Sequence, residues 1–149
     1  EANSVKITID FGHPYFEENV LLGLTPDDLN CFYADASEVD RLNLFFVLEA
    51  SLHRLQNEKE MQAAARCAFL MAYYLFIALT PPASCELAEF YIDKALEWDE
   101  TPEYRQWKEN IKPLNILYEQ KINSGLSNEQ ILIYSLTAPL RKQQRCYYA

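Results

Sequence analysis

Residues 85–107 read CELAEFYIDKALEWDETPEYRQW. Ser84 stands before them as a helix cap, and Leu87, Ala88, Tyr91, Ile92, Ala95 and Trp98 recur at spacings of three and four. That period places them on one face of a helix and turns Glu86, Glu89, Asp93 and Glu97 to the other. Thr101-Pro102-Glu103 opens the next helix, with a capping hydroxyl, a first-turn proline and an acid at the positive end of the dipole. Upstream, Thr80-Pro81-Pro82-Ala83 separates this helix from the most apolar part of the chain, Ala63–Leu79, because neither proline can continue the helix behind it. From Cys67 to Leu79 that segment carries no charge on any side, the pattern of a central, buried helix.

The same reading extends outward in both directions. Lys59–Leu79 is one helix, and Ser37-Glu38-Val39-Asp40 caps another that runs to Gln56, with Leu42, Phe45, Leu48, Leu52 and Leu55 on its inner face. Thr25-Pro26-Asp27-Asp28 starts a helix to Ala34, and Tyr15–Leu24 forms a short one stopped by Gly23. After Thr101 the pattern Tyr104, Trp107, Ile111, Leu114, Tyr118, Ile122 continues inward, with Pro113 expected to kink or restart the helix. Gly125 is the expected stop, Ser127-Asn128-Glu129-Gln130 a capping box for a last helix to Leu136, and residues 137–149 a loosely held basic tail. Val5–Phe11 alternates apolar and polar residues, which predicts one short N-terminal strand within an extended segment 1–14. A lone strand must find a partner. It can lie along its own domain, add to another protein's sheet, or pair with its own copy to give a homodimer through residues 5–11. The expected class is all-α, one helical domain over 1–149, with about six or seven helices.

The segment Ala88, Ile92, Ala95 and then Asp99-Glu100-Thr101-Pro102 resembles the second helix of a tetratricopeptide repeat and the start of its next unit, and DKALEWD at 93–99 is close to that family's wording. The resemblance covers residues 63–107. Ala72 stands near the place of the family's glycine, the turn at 80–84 is longer, Pro102 falls two residues late, and no second copy is legible. The resemblance implies antiparallel helical hairpins whose first helices line a concave surface. It would turn Arg66, Phe69, Tyr73 and Phe76 toward a groove for a protein partner. The residues alone leave a plain helical bundle open, with Phe69, Tyr73 and Phe76 in its core. They also demand partners for the hydroxyls of Tyr73 and Tyr74 if both are buried.

Charge narrows the partners. The chain has a net charge of −9. Residues 1–40 hold nine acids and one lysine, and residues 86–103 hold seven acids against Lys94. Residues 104–149 reverse sign, with seven basic and three acidic side chains. A general nucleic-acid binder needs the opposite balance, so the expected partner is another protein, and a basic one suits the acidic blocks. The uncharged run near residues 67–84 is cut by prolines, which argues against a membrane span.

Chemistry leaves little trace. Cys31, Cys67, Cys85 and Cys146 match no zinc or redox spacing, which favours a reducing compartment such as the cytoplasm; a chain beginning at Glu1 also fits export after cleavage of a leader. His13 and His53 have no second ligand at metal spacing, and no phosphate-binding glycine loop is present. No catalytic, cofactor or metal residues are expected. The expectation is a non-enzymatic protein–protein interaction module. Small tetratricopeptide-type secretion chaperones are similar in size, acidity and helix pairing. The alternatives are an immunity protein neutralising a basic toxin and an enzyme with a scattered site.

Overall fold

The computed structural model describes residues 6–123 of the 149, with side chains described to Lys112. The chain is all-α. Six helices follow in order: α1 (Glu18–Gly23), α2 (Pro26–Asp35), α3 (Glu38–Asn57), α4 (Met61–Tyr73), α5 (Ser84–Trp98) and α6 (Pro102–Asn123), and α4 runs on into a π-helical stretch, Tyr74–Leu79. No strand occurs among the described residues.

Local signals set most boundaries. Thr25 and Asp28 form a reciprocal capping box at the start of α2: the Thr25 hydroxyl accepts from the Asp28 amide, and Asp28 accepts from the Thr25 amide. The Ser37 hydroxyl accepts from the Asp40 amide at 3.2 Å to start α3, and Thr101 does the same for Tyr104 at the start of α6. A Schellman motif closes α3. The Glu60 amide reaches the Leu55 carbonyl, the Lys59 amide reaches the Gln56 carbonyl, and Lys59 takes φ 61°. The π-helical stretch ends at Thr80, whose amide bonds to the Leu75 carbonyl and whose φ is 47°, just ahead of Pro81 and Pro82.

The helix around 61–79 is the centre of the molecule. Cys67 to Ala78 is buried without interruption, as its uncharged sequence predicts. One side packs on α5 through Ala88, Ile92 and Ala95, whose small or β-branched side chains let the two helices approach. Another packs on α3 through Leu44, Leu48, Ser51, Leu52 and Leu55, and α1 adds Leu21. Each of these fully buried leucines contributes about 1.5–3 kcal/mol through removal from water. By length and composition Met61–Leu79 could cross a membrane, yet 78% of its most apolar window is buried inside the fold, as in a core helix.

Several details differ from expectation. Leu42 is exposed and Leu44 takes its inward place, because the inner face of α3 runs Leu44, Leu48, Ser51, Leu55. Ser84 does not cap α5: Ala83 occupies that position, and Ser84 is buried as the first helical residue. Leu87 lies at the water edge of α5. Pro113 does not restart a helix, since α6 is one element through Asn123. Residues 6–10 are extended without ladder pairing among the described residues, but their alternation is realised: Ile7 is buried, Ile9 half-buried, and Lys6, Thr8 and Asp10 exposed. The segment rests its apolar side on the helices. The expected features at 125–149, namely the Gly125 stop, the last helix and the basic tail, lie outside the described residues.

Candidate interaction surface

The four residues expected to face a groove are brought together, but α6 occupies that face. Trp107 of α6 meets Phe69, Tyr73 and Phe76, with ring centroids at 5.9, 6.3 and 6.1 Å, and Tyr104 stacks on Phe69 at 4.9 Å. Phe69, Tyr73 and Phe76 are buried. They form core because α6 presents its aromatic face to them, burying five rings in edge, tilted and stacked contacts. Arg66 is also engaged. Its Nε and one terminal nitrogen donate to the Leu24 carbonyl at 3.1 and 2.7 Å, the other terminal nitrogen pairs with Glu103 at 3.1 Å, and its guanidinium lies 5.3 Å from the Phe69 ring. The two tyrosine hydroxyls find partners. Asn30 Nδ2 donates to the Tyr73 hydroxyl at 2.8 Å, and the Tyr74 hydroxyl donates to the Arg41 carbonyl at 2.7 Å.

A different surface is open. On α3, Val39, Leu42 and Phe46 follow one another at i, i+3 and i+7 and are 66%, 54% and 62% exposed. From Phe46 a row of rings crosses to α5. Phe46 meets Phe45 at 5.6 Å, Phe45 meets Tyr91 at 6.4 Å, and Tyr91 meets Phe90 at 5.1 Å, each edge to face. The middle pair is half-buried, and the ends, Phe46 and Phe90, are in water. Burial and the negative charge of Glu49 both push the Tyr91 hydroxyl above its ordinary pKa, which puts a carboxylate at this junction. Glu38 and Glu49 flank the apolar stripe of α3, and Glu86 lies one turn before Phe90. Lys94 sits over the Phe90 ring at 5.5 Å.

Beside this surface the N-terminal segment forms two depressions. A notch of about 210 Å³ is lined by Ile9, Phe11, Pro14, Phe46, Val47 and Ala50, with Asp10 and Asn43 at its edge. Phe11 is 81% exposed at its mouth. On the other side of Ile9, a cleft of about 550 Å³ runs between Lys6–Ile9 and the Asp28–Ala36 side of α2.

The sequence did carry a signal for this surface. Phe45-Phe46 and Phe90-Tyr91 are adjacent aromatics on amphipathic helices. Neighbours on a helix differ by about 100°, so an amphipathic helix buries one and exposes the other.

Among the described residues no group of three or more His, Cys, Asp or Glu side chains could hold a metal. His13 pairs with Glu17 at 3.1 Å and His53 with Glu49 at 3.7 Å, both on the surface. Cys31 and Cys67 are free thiols. Burial pushes the Cys67 thiol far up, and it donates to the Leu48 carbonyl at 3.1 Å. Cys31 is exposed but is held above its ordinary value, by local burial first and then by the charges of Asp27, Asp28 and Asp35. That environment opposes the thiolate a nucleophile needs.

Comparison with family models, with curated proteins and with solved structures found no match to this chain.

Proposed function

We propose that this protein is a non-enzymatic protein-binding module that takes its partner on the α3–α5 surface. The carrying observation is the exposed stripe Val39, Leu42 and Phe46, continued to Phe90 by a row of edge-to-face rings. Large apolar side chains gathered on one face, rimmed by charge, are the usual composition of a protein-binding patch. The aromatic ends supply large contact area at little entropic cost, which is how a few residues carry most of an interface's energy.

On this reading α4 and α5 form a tetratricopeptide-like antiparallel hairpin, and the partner lies across the outside of α3 and α5. The face expected along Arg66, Phe69, Tyr73 and Phe76 is covered by α6. A secretion chaperone or adaptor fits this arrangement. The acidic blocks at 1–40 and 86–103 favour a second reading, an immunity protein that captures a basic toxin.

The test is affinity capture from the source cells with full-length wild type and with a Leu42→Ser/Phe90→Ser variant, read by quantitative mass spectrometry. Both side chains are exposed, so the variant keeps its fold, which circular dichroism checks. A protein retained by the wild type and reduced about ten-fold or more by the variant supports the surface. Equal retention by both, for every protein captured, rules it out. Steep loss of that protein between 50 and 300 mM salt would favour the immunity reading over the chaperone one.

A further inference from the structure

The notch and the cleft share a wall. Ile9 lines both, and Asp40, which lines the cleft, accepts from Asn43 Nδ2, which lines the notch, at 3.3 Å. The two depressions are therefore neighbours with Ile9 common to both, and together they offer two adjoining subsites. Their chemistry differs. The notch is walled by Phe11, Pro14, Phe46, Val47 and Ala50, with the edge of Asp10. The cleft is lined by the apolar Ile7, Phe32 and Ala36 together with Asp35 and Asp40. Asp28 also borders the cleft, but its carboxylate is taken up by Thr25 at the start of α2. Lys6 is the one basic side chain on the cleft wall among the described residues.

A lining that combines apolar side chains with carboxylates suits a side chain that is alkyl along its length and cationic at its end, as lysine and arginine are. A neutral apolar ligand would desolvate the Asp35 and Asp40 carboxylates while bringing no charge to offset that cost, and an anion would be repelled. A second copy of this surface would bring an acidic rim against an acidic rim.

We propose that this groove binds a linear segment of the partner in which a bulky apolar residue, seated in the notch, lies next to lysine or arginine, seated in the cleft. This rests on the protein-binding reading above and specifies the partner's chemistry. The apolar anchor supplies contact area, and the cation selects against anionic and uncharged segments.

The probe is a fluorescein-labelled 14-residue peptide of leucine, alanine and arginine, titrated by anisotropy with the full-length protein. Two control peptides replace every arginine by glutamate or every leucine by serine. The expected result is binding of the first peptide about ten-fold or more tighter than either control. Phe11→Ser and Asp35→Asn/Asp40→Asn should each weaken it by a similar factor. Phe11 and Asp35 are exposed and Asp40 lies at the first turn of α3, so circular dichroism can confirm that the variants remain folded. Equal binding of all three peptides, or variants that bind as the wild type does, would overturn the proposal. So would a gain of more than about ten-fold on deleting residues 138–149, because the chain's own basic end would then be the occupant. Failure here with continued capture of a protein dependent on Leu42 and Phe90 would leave the α3–α5 surface standing and remove only the groove.

Discussion

Arg66 holds the carbonyl of Leu24 with two nitrogens, at 3.1 and 2.7 Å, across 42 residues of sequence. Leu24 is the buried C-cap of α1, and its extended backbone ends the helix there, so no further helical turn follows to bond its carbonyl. The guanidinium fork supplies what the missing turn would have supplied, and the Glu103 pair ties the same side chain to the first turn of α6. Arg66→Ala should therefore destabilise the fold by about 1.5–3 kcal/mol, the usual worth of hydrogen bonds to a charged group. Arg66→Lys should recover only part of this, since an ammonium cannot fork. Urea unfolding curves measure both. A groove-lining arginine would leave stability unchanged on truncation, so the same curves separate a structural Arg66 from a displayed one.

Trp107 is the second long-range fastener. Its ring touches Phe69, Tyr73 and Phe76, spaced along one side of the central helix. Trp107→Ala would leave a void under α6 that a helix cannot close, with an expected cost of about 3–5 kcal/mol. Trp107→Phe should cost less because it keeps an edge-to-face ring. Thermal unfolding followed at 222 nm gives the ranking.

These two side chains also show how far the sequence carried. The helices, the Thr25 and Ser37 caps and the buried centre at 67–78 follow from local rules: period, capping chemistry and a run without charge. Which face of the central helix stays open does not follow from them, because it depends on where α6 packs. Phe69, Tyr73 and Phe76 look the same in sequence whether a partner or Trp107 covers them. Leu42 and Leu44 illustrate the same limit at finer scale. Both suit an amphipathic helix, and only the position of α4 against α3 selects Leu44. The open surface depended on Phe46 and Phe90, whose adjacency to Phe45 and Tyr91 is a helical signal that one ring of each pair must face water. Ile9 is different again: its alternation with Lys6, Thr8 and Asp10 was legible, but that the segment lies along α2 and α3, without ladder pairing among the described residues, is a matter of tertiary packing.

Lys59 closes the Schellman motif after α3 with φ 61°. A residue with a Cβ pays about 1–2 kcal/mol for the left-handed conformation, and glycine does not. Its side chain is exposed and no ion pair among the described residues holds it. Lys59→Gly should raise stability by up to about 1 kcal/mol, the gain being reduced by glycine's greater freedom in the unfolded chain. Lys59→Val should lower it. Chemical denaturation of the pair, at unchanged m-value, checks the sign.

Glu18 sits in the first turn of α1 and meets Glu60, the residue that precedes α4. Its carboxyl titrates above the ordinary carboxylate range, first through a hydrogen bond to the Glu60 carboxyl, then through partial desolvation and the charges of Glu60 and Glu58. A raised folded-state pKa means the protonated acid is favoured in the native structure. The stabilisation is present below the unfolded pKa and is lost as pH rises through the raised folded value. At neutral pH two carboxylates face each other instead. Glu18→Gln keeps a hydrogen-bond donor toward Glu60 and removes one of the charges. The variant should melt above the wild type at pH 7, with the difference shrinking as pH falls toward 4 and the wild-type carboxyl takes up its proton. Melting temperatures of both proteins across that range decide it: a difference that stayed constant with pH would trace the effect to something other than this carboxyl pair.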